Sequence, residues 1–502
     1  AGDVEFDDSY ENNCLVNVGC IGLMKKSDIA LSVASNVGDI LVLMGGSTGK
    51  DGIHGVTFAS RVLTEESEAD RPAVQIGDPF TKKLIIEATL EAIKTGQVSG
   101  LKDLGGGGLT CASSEMSGAG GTGVEIDLNS IHLREASMIP YEIMLSESQE
   151  RMLFVIKPDG LETVLKIFDK YEVPYRVIGK VNDNGNVNVY KDGKLVAKVP
   201  SKMLSDPPVL NRPLKRPRYI DEIVKQPKPP MPQNMEEVIY ALIGSPNLAS
   251  KAWVYTQYDH EVGDRTLIKP GQADAAVLRI IGKNKAIAFK SDATPTHSYI
   301  DPYNGGAGAL AETCRNIAVT GAEPLAWVDC LSFGNPENPE VLWSFNETIK
   351  GLTDYALKLN IPCVGGNVSF YNEDKVSERV VKPCPMVLTV GLIEDTSYIT
   401  TSSFKEEGDV IVMVGSTYPE MGGSEYYVSY HRTQGGKPPA VNLDLEAKTL
   451  KCVLKAVRTG MVTAAHDCFR GGIAATIIEM ALAGGLSAKV GLDGLGEDMR
   501  LD

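Results

Sequence analysis

An internal duplication is the feature that most constrains how this chain folds. "GDVEFDDSY", from residue 2, and "GGNVSFYNE", from residue 365, share glycine, Asp or Asn, valine, a polar residue and phenylalanine in that order. The same offset of 364 positions relates "AIKTGQVSGLKDLGGGGLTCASSEM" at 92–116 to "AVRTGMVTAAHDCFRGGIAATIIEM" at 456–480. Identical pairs there include Thr95 and Thr459, Asp103 and Asp467, Gly107 and Gly471, Gly108 and Gly472, and Glu115 and Glu479. Residues 1–138 and 365–502 are therefore two copies of one unit.

The amphipathic helix before these glycine-rich stretches keeps its register as well. Its apolar positions coincide in the two copies: Ile86, Leu90 and Ile93 in the first, and Leu450, Leu454 and Val457 in the second. This i, i+4, i+7 spacing predicts one buried helix face in both copies.

Each copy is incomplete within the 502 residues. Residues 153–205 have no counterpart after the second copy, and residues 228–364 have none before the first. We therefore expect the chain to be a fragment of a protein that is longer at both ends.

Alternating strand and helix patterns predict an α/β (α+β) fold built from two domain types, which we call A-type and B-type. We predict the tail of a first A-type domain at 1–13, a first B-type domain at 14–205, a second A-type domain at 236–395 and a truncated second B-type domain at 396–502. The stretch 206–235 holds eight of the 27 prolines and is predicted to be a linker, because proline favours extended backbone.

Charge and cysteine content exclude several classes of protein. A net charge of −16 argues against a nucleic-acid partner or an anionic membrane surface. No apolar run approaches the roughly 20 residues that span a bilayer. The nine cysteines show no CxxC or zinc-site spacing, so reduced thiols in a cytoplasmic protein are the simplest interpretation.

A glycine-rich turn is the first candidate for chemistry. In "LKDLGGGGLT", Asp103 ends a predicted strand, before four glycines and a predicted helix. Glycines let backbone N–H groups approach a phosphate, and a carboxylate beside such a turn suits Mg²⁺. The alternative is a tight structural turn with an N-cap aspartate, and the repeat at Asp467 shows that the turn is structural in both copies.

Polar residues at the ends of predicted strands form a second candidate. Asp329 lies in the apolar stretch "AWVDCLSFGNPENPE", where a buried carboxylate needs a partner such as a ribose hydroxyl or a metal. In "GGNVSFYNE", Gly366 permits close backbone approach, Asn367 offers an oxygen ligand and Ser369 offers a hydroxyl. A turn after a buried strand explains the same residues without a ligand.

Two further stretches carry amide and carboxylate side chains. "LSESQERML" holds Glu147, Ser148 and Gln149 just before an apolar strand, and "RPAVQIGDPF" holds Gln75 in an extended segment. Taken locally, a solvated helix cap and ordinary surface polarity are the simpler interpretations.

Eight motifs resemble, in order and along nearly the whole chain, those of the large synthetase subunit of phosphoribosylformylglycinamidine synthase, a family of purine biosynthesis. They are "NCLVNVGCIGLM", "GKDGIHGVTFAS", "VQIGDPF", "MLSESQERM", "SPNLASKAWVYTQYDHEV", "DPYNGG", "DCLSFGNPENPE" and "GGNVSFYNE". The resemblance implies tandem halves similar to AIR synthetase, each with an N-terminal A-type and a C-terminal B-type domain, in agreement with the duplication.

The resemblance also implies a reaction and its site. ATP would phosphorylate the amide oxygen of formylglycinamide ribonucleotide, and ammonia would then displace phosphate to give the amidine. Residues that match the family's substrate contacts are Gln75, Glu147, Ser148, Gln149 and Ser369; those that match its ATP contacts are Asp329 and Gly366; those that match its Mg²⁺ ligands are Asp103 and Asn367. The implied partners are a glutaminase subunit that supplies ammonia and a small bridging subunit.

In the family, the catalytic histidine and the main ATP-holding lysine belong to the front of the first A-type domain, which we expect to precede residue 1, and we do not transfer the catalytic role to His297 in the equivalent stretch of the second A-type domain. We therefore predict no catalytic residue here and expect the chain to be inactive alone. In the second B-type copy, His466 and Arg470 replace Lys102 and Gly106, and that site is expected to hold at most a structural nucleotide. Two alternatives remain. One is another ATP-dependent enzyme of the same superfamily, such as AIR synthetase or selenophosphate synthetase, although those have a single half. The other is a non-catalytic nucleotide-binding scaffold that docks a glutaminase.

Overall fold

The chain divides into two units in the computed structural model. The first unit is Cys20–Asn211, and the second joins Ala1–Gly19 to Arg212–Asp502. The structure describes residues 4–11, 13–53, 75–374 and 379–492. Most of the motif "GKDGIHGVTFAS", the first four residues of "RPAVQIGDPF" and the last ten residues of the second B-type copy lie outside the described residues.

The described part of the first unit contains seven strands and five α-helices. The strands are β1 (Ile40–Gly45), β2 (Val98–Asp103), β3 (Gly123–Asp127), β4 (Arg151–Ile156), β5 (Tyr175–Asn182), β6 (Asn186–Lys191) and β7 (Lys194–Pro200). The helices are α1 (Pro79–Lys94), α2 (Gly108–Gly120), α3 (Pro140–Leu145), α4 (Leu161–Lys170) and α5 (Ser201–Ser205), with 3₁₀ turns at Lys26–Asp28, Leu128–Ser130 and Pro158–Gly160.

Helices cover both faces of the first unit's sheet, whose strand order is β2-β4-β1-β5-β3-β6-β7. Only β3 and β6 pair in parallel; the other neighbours are antiparallel. Because side chains alternate along a strand, Leu41 and Leu43 of β1 join one core with Met116 of α2, whereas Val42 and Met44 join a second core with α1 and α4. A strand that is covered on both faces reads as a continuous apolar run, as "ILVLM" does.

The described part of the second unit contains eight strands and eight α-helices. The strands are β8 (Thr266–Ile268), β9 (Ala276–Arg279), β10 (Ala286–Asp292), β11 (Glu323–Ser332), β12 (Cys363–Ser369), β13 (Glu373–Asp374), β14 (Arg379–Val380) and β15 (Cys384–Ile393). The helices are α6 (Arg218–Val224), α7 (Met235–Ile243), α8 (Ala252–Tyr255), α9 (Pro295–Ile300), α10 (Pro302–Val319), α11 (Pro339–Leu359), α12 (Leu443–Val457) and α13 (Gly472–Gly484). Short 3₁₀ turns cover Asp8–Tyr10, Val262–Asp264 and Thr396–Tyr398, and a π-helical turn covers Tyr426–Tyr430.

A six-stranded sheet of order β12-β11-β15-β10-β9-β8 organises the second unit, beside the two-stranded pair β13-β14. Strands β11 and β12 are parallel, and β12 is an edge strand. Helix α10 is buried along most of its length and packs with α11 against β11 and β15. Leu450 and Leu454 of α12 complete this core.

The predicted alternation of strands and helices is confirmed, and β6 and β7 form a hairpin that turns at Asp192-Gly193. The prediction of the same buried helix face in both copies is wrong for α1. Leu450 and Leu454 of α12 are 4% and 8% exposed, but their counterparts Ile86 and Leu90 are 47% and 52% exposed. Helix α1 instead buries the adjacent stripe Ile85, Ala88 and Ala92 against the sheet. Helix α12 uses the other stripe because α10 and α11 cover it.

The second copy repeats the helices of the first more fully than its strands. Helices α12 and α13 stand where α1 and α2 stand in the first copy, but "VIVMV" at 410–414, the counterpart of β1, forms no strand. In the first unit β1 pairs with β4 on one side and β5 on the other.

The proline-rich segment is packed against the second unit from Arg212 onward. Tyr219 stacks on Tyr299 with ring centroids 4.5 Å apart, and Ile220 is buried. Arg216 lies 5.1 Å from the centre of the Trp343 ring. The segment therefore folds onto the second unit instead of only connecting two domains.

Candidate functional site

The glycine-rich turn lies between β2 and α2 of the first unit. The backbone N–H of Gly108 donates to the carbonyl of Gly105 at 2.9 Å, and Gly107 and Gly108 adopt φ values of 75° and 53°. Such positive φ angles favour glycine. A Cβ at Gly108 would lie closer than 3.0 Å to the carbonyl oxygen of Ser146, so the turn packs directly against the loop that joins α3 to β4.

That loop carries the predicted substrate residues and connects them to the turn. Glu147, which is 4% exposed, accepts hydrogen bonds from the N–H of Gly107 at 2.9 Å and from Nε2 of Gln75 at 2.6 Å. Gln149 donates from Nε2 to Gln75 Oε1 at 2.7 Å and to the carbonyl of Glu147 at 3.0 Å. We call Gln75, Glu147 and Gln149 the amide–carboxylate cluster. Two separate sequence motifs and the glycine-rich turn thus meet at one carboxylate.

Ser148 faces a different neighbour. Its buried hydroxyl accepts from the N–H of Gly49 at 2.9 Å and donates to Asp51, which also pairs with Arg134 at 2.8 Å. Burial alone would raise the pKa of Asp51, but the hydrogen bonds from Ser148 and Arg134 hold it below its usual value. Ser148 therefore fixes the loop to the turn at 49–51.

Arg151 also holds this loop, through hydrogen bonds to its backbone. The sequence analysis did not identify this residue. It is 3% exposed and donates to the carbonyls of Ser146 at 2.6 Å and Ser148 at 2.8 Å and to Oγ1 of Thr48 at 2.9 Å. Burial lowers the pKa of Arg151 to about 10. In the sequence, an arginine placed between "SESQE" and the apolar run "MLFVI" is the signal that could have identified it.

Asp103, the predicted Mg²⁺ ligand of the first unit, is exposed at the end of β2 beside the glycine-rich turn. Lys102 next to it pairs with Glu115 of α2 at 2.7 Å. An exposed carboxylate oxygen is the donor type that Mg²⁺ takes, so Asp103 fits that role chemically.

Four predicted residues of the second unit lie on the neighbouring strands β11 and β12. Asp329 stands opposite Gly366, and Ser332 stands opposite Ser369. A Cβ on Gly366 would lie closer than 3.0 Å to both carboxylate oxygens of Asp329. Partial burial raises the pKa of Asp329, while a contact from Cys363 at 3.7 Å acts in the opposite direction. The glycine is what leaves room for this carboxylate at the sheet edge.

Asn367 and Ser369 continue the same edge strand. Asn367 is exposed and its Nδ2 lies 3.7 Å from the sulfur of Cys330, while Ser369 Oγ accepts from Asn372 at 3.3 Å. Gln75, Glu147, Ser148, Gln149 and Asp103 thus belong to the first unit, and Asp329, Gly366, Asn367 and Ser369 belong to the second. The structure joins Gln75, Glu147 and Gln149 in the first unit and Asp329 with Gly366 in the second, and among the described residues it shows no hydrogen bond from the side chain of Asp103, Ser148, Asn367 or Ser369 to these groups.

A cluster in the second unit escaped the sequence analysis. In the described part of the chain, Asp274, His466 and Asp467 are the one group of three acidic, His or Cys residues whose ligand atoms lie within 4.8 Å of one another. His466 lies 2.8 Å from Asp274 through Nδ1 and 2.9 Å from Glu479 through Nε2. The pair His466–Glu479 occupies the repeat positions of Lys102–Glu115, which is the signal that could have found it.

The charge of His466 bears on whether this cluster is a metal site or an ion-pair network. Burial alone would lower the pKa of His466, but its contacts with Asp274 and Glu479 raise it to about 11. A protonated imidazole has no lone pair for a metal ion. The distances from His466 to Asp274 and Glu479 are those of a partly buried ion-pair network, in which burial also raises the pKa of Asp467.

No helix in the described ranges is both long and apolar enough to cross a bilayer.

Comparison with known families identifies the domain types. The chain matches the family described as "AIR synthase related protein, C-terminal domain" over residues 36–192 and again over 406–501. It matches "AIR synthase related protein, N-terminal domain" over residues 272–393. The double C-terminal match agrees with the duplication.

Curated relatives and solved structures extend the similarity along the whole chain. The phosphoribosylformylglycinamidine synthase subunit PurL of Methanothermobacter thermautotrophicus is 49% identical over 494 residues, which are 98% of this chain and 68% of that protein. The same subunit of Moorella thermoacetica is 45% identical over 505 residues, covering 100% and 68%. The chain thus spans about two thirds of the length of these relatives.

Among solved structures, T. maritima PurL complexed with FGAR has a TM-score of 0.66 at 27% identity and covers 90% of this chain and 66% of that one. T. maritima PurL complexed with ATP has a TM-score of 0.59 at 29% identity and covers 75% and 57%. On the strength of both family matches and these identities, the chain belongs to the family of phosphoribosylformylglycinamidine synthase subunit PurL, whose members are ATP-dependent ligases of purine biosynthesis.

Proposed function

We propose that this chain takes part in the ATP-dependent conversion of formylglycinamide ribonucleotide to formylglycinamidine ribonucleotide in the cytoplasm. The observation that carries the proposal is the amide–carboxylate cluster, which joins "SESQER", Gln75 and the glycine-rich turn through the single buried carboxylate of Glu147. Relatives solved with FGAR and with ATP support the two ligands.

The proposed roles follow from the chemistry of each side chain. Gln75, Glu147 and Gln149 present amide and carboxylate groups to the amide, hydroxyls and phosphate of the ribonucleotide, Ser369 adds a hydroxyl, and Ser148 contacts the ligand while holding the loop. Asp329 and Gly366 form the contact with ATP, since the missing Cβ at Gly366 exposes the carboxylate and the strand backbone. Asp103 and Asn367 supply oxygen ligands for Mg²⁺, which when bound offsets negative charge on the transferring phosphoryl group.

In the proposed reaction the amide oxygen is phosphorylated by ATP, because an amide oxygen leaves poorly without activation, and ammonia then displaces phosphate. A glutaminase subunit and a small bridging subunit would deliver the ammonia. A solved complex described as PurLQS from Thermotoga maritima supports assembly with further subunits.

Glu147→Gln tests the substrate half of the proposal. The change keeps the volume of the side chain but replaces one acceptor oxygen of the carboxylate by an amide NH2 group, which is a donor. It should weaken binding of formylglycinamide ribonucleotide at least about tenfold, or ~1.4 kcal/mol, in calorimetric titration. Glu125→Gln is the matched control, since Glu125 of the same unit only pairs with Lys180 at 3.6 Å at the surface. Unchanged affinity in Glu147→Gln with a normal melt contradicts the role of the cluster.

A nucleotide-binding scaffold that docks a glutaminase is the competing function. Titrating ADP with Mg²⁺ and formylglycinamide ribonucleotide, separately and together, separates the two. Binding of nucleotide with no effect of the ribonucleotide favours the scaffold, whereas coupled binding favours the synthetase. That the isolated chain is inactive remains a prediction, and ammonia-dependent product formation by the purified chain would contradict it.

A further inference from the structure

The glycine-rich turn exists twice, and both copies keep its hydrogen bond, although Gly107 has a φ of 75° and its counterpart Gly471 a φ of −97°. In the first unit the N–H of Gly108 donates to the carbonyl of Gly105 at 2.9 Å; in the second unit the N–H of Gly472 donates to the carbonyl of Phe469 at 3.0 Å. Gly108 and Gly472 have φ values of 53° and 62°. Each turn leads into a helix of 13 residues, α2 or α13. The two turns are therefore equivalent in this hydrogen bond and in their position before a helix.

Their side chains differ at two consecutive positions. Gly105 and Gly106 of the first turn are exposed, and Phe469 and Arg470 replace them in the second. The guanidinium of Arg470 lies 5.3 Å from the centre of the Phe469 ring. The second turn thus carries two large side chains at positions where the first turn has only glycine.

Arg470 is held by a carboxylate from the far end of the sequence. Its Nη1 donates to Glu5 Oε1 at 2.6 Å and its Nη2 to Glu5 Oε2 at 2.7 Å and to the carbonyl of Ala293 at 2.8 Å. Asp292 lies 3.8 Å from the same Nη2. The side chains of Arg470 and Glu5 are 20% and 25% exposed. This is a two-pronged pairing of guanidinium with carboxylate, the geometry by which arginine also binds phosphate.

Glu5 has its own counterpart in the duplication. It precedes Ser369 by 364 positions, the offset that also separates Gly106 from Arg470. Ser369 is one of the proposed substrate contacts, and Gly106 is part of the first turn. Within the second unit, Glu5 and Arg470 therefore pair at positions whose repeat counterparts are Ser369 and Gly106.

We propose that Glu5 and Arg470 close the second glycine-rich turn to phosphorylated substrate, with the carboxylate of Glu5 bound as an internal anion to the guanidinium that an incoming phosphate would need. The inference rests on the proposed function, because that function makes Ser369 a substrate contact. The pair makes the second glycine-rich turn different in specificity from the first.

The closure is strong because the competing anion belongs to the chain. Phe6, the next residue, exchanges two hydrogen bonds with the side chain of Asn247, at 2.8 and 3.2 Å, and Asp7 pairs with the buried Lys382. These contacts hold Glu5 beside Arg470, so its effective concentration there far exceeds that of a dissolved phosphate.

Glu5→Ser tests the closure, since it places at position 5 the residue that stands at 369. The freed guanidinium should bind ribose 5-phosphate, and calorimetric titration of the full chain should give one equivalent more than the unsubstituted chain, with at least a tenfold gain in affinity at that site. The double variant Glu5→Ser/Arg470→Met, which lacks the guanidinium, should lose the added equivalent. Glu323→Ser, which breaks the exposed Arg458–Glu323 pair of the same unit at 3.2 Å, is the matched control and should gain nothing.

Equal stoichiometry in Glu5→Ser and the unsubstituted chain overturns the proposal, as does an added equivalent that persists without Arg470. If Glu5→Ser loses its cooperative melt, Glu5→Gln carries the same test, because it removes the charge but keeps the volume. The closure is judged from the difference between variant and unsubstituted chain. The proposed function is judged separately, from binding of formylglycinamide ribonucleotide to the unsubstituted chain and to Glu147→Gln.

Discussion

Single residues at the edge of the second unit's sheet set how close a ligand can come to Asp329. Gly366→Ala places a methyl group closer than 3.0 Å to both carboxylate oxygens of Asp329 and displaces them. Under the proposed role, binding of ADP with Mg²⁺ should weaken about tenfold, or ~1.4 kcal/mol, in calorimetric titration. Gly365→Ala is the matched control, because a Cβ there meets Val328 at an ordinary 3.8 Å. Equal affinities in the two variants would remove Asp329 from the nucleotide contact.

His466 gives the second unit a specific dependence on pH. Its pKa is raised from 6.5 to about 11 in the folded chain, so its charged form stabilises the fold fully below pH 6.5 and loses that effect as the pH rises through the folded value. Chemical denaturation should show that His466→Gln lowers the free energy of unfolding by about 2 kcal/mol near pH 6. The difference should shrink steadily toward about pH 10.

The variant His132→Gln is the control, since His132 lies in the first unit. A loss in His466→Gln that stays constant across this pH range would mean that the imidazole acts by shape and not by charge.

How far the sequence predicts individual residues depends on whether their partners lie in a recognisable motif. Glu147 and Gln75 come from two motifs, and the structure joins them at 2.6 Å. The pair of Glu5 with Arg470 joins residues 465 positions apart, and no local pattern indicates it. Only the exchange of Gly106 for Arg470 between the copies marks the place, without naming the partner.

At the scale of helices, equivalent positions of the duplication should differ in energy because different elements cover them. Leu454 of α12 is 8% exposed and packs with α10 and α11, whereas Leu90 of α1 is 52% exposed. Leu454→Ala should therefore lower the free energy of unfolding by about 2–4 kcal/mol. Leu90→Ala should lower it by less than about 1 kcal/mol. Urea unfolding of the two variants measures both, and comparable losses would show that the stripe on α1 is covered in solution.

The same comparison shows where pattern-based prediction of elements ends. The spacing of Ile86 and Leu90 predicts an apolar stripe correctly, but periodicity carries no information about what lies against it. The apolar run 410–414 repeats β1 in sequence, yet it forms no strand, since a strand depends on partners that the run itself does not specify. Helices satisfy their own backbone hydrogen bonds, and α12 and α13 accordingly follow the repeat closely.

For the molecule as a whole, the second unit is assembled from both ends of the sequence. The segment from residue 4 to Gly19 belongs to it with Arg212 and the residues beyond. Besides the pair of Glu5 with Arg470, Tyr10 donates from its hydroxyl to the carbonyl of Lys382 at 2.8 Å, and the N–H of Lys382 donates to Ser9 at 3.2 Å. The duplication alone predicts two similar domains, but not that residues 4–19 pack into the second unit.

Lys382→Met tests how much the contacts of residues 4–11 with Lys382 contribute to the stability of the second unit. Lys382 and Asp7 have side chains 9% and 10% exposed and form an ion pair, so removing the ammonium leaves a buried carboxylate without its partner. The free energy of unfolding of the second unit should fall by about 3–5 kcal/mol, and hydrogen exchange should lose protection at residues 4–11. The attraction of Lys382 holds the pKa of Asp7 low against the effect of burial, so Asp7→Asn/Lys382→Met, which removes both charges, should recover most of the loss.

Lys437→Met is the matched control, since Lys437 is 66% exposed in its pair with Glu420 at 2.7 Å and should cost less than about 1 kcal/mol. If Lys382→Met instead melts like Lys437→Met and residues 4–11 keep their protection, the N-terminal segment is held by its other contacts, and Glu5 would then be presented to Arg470 without help from Asp7.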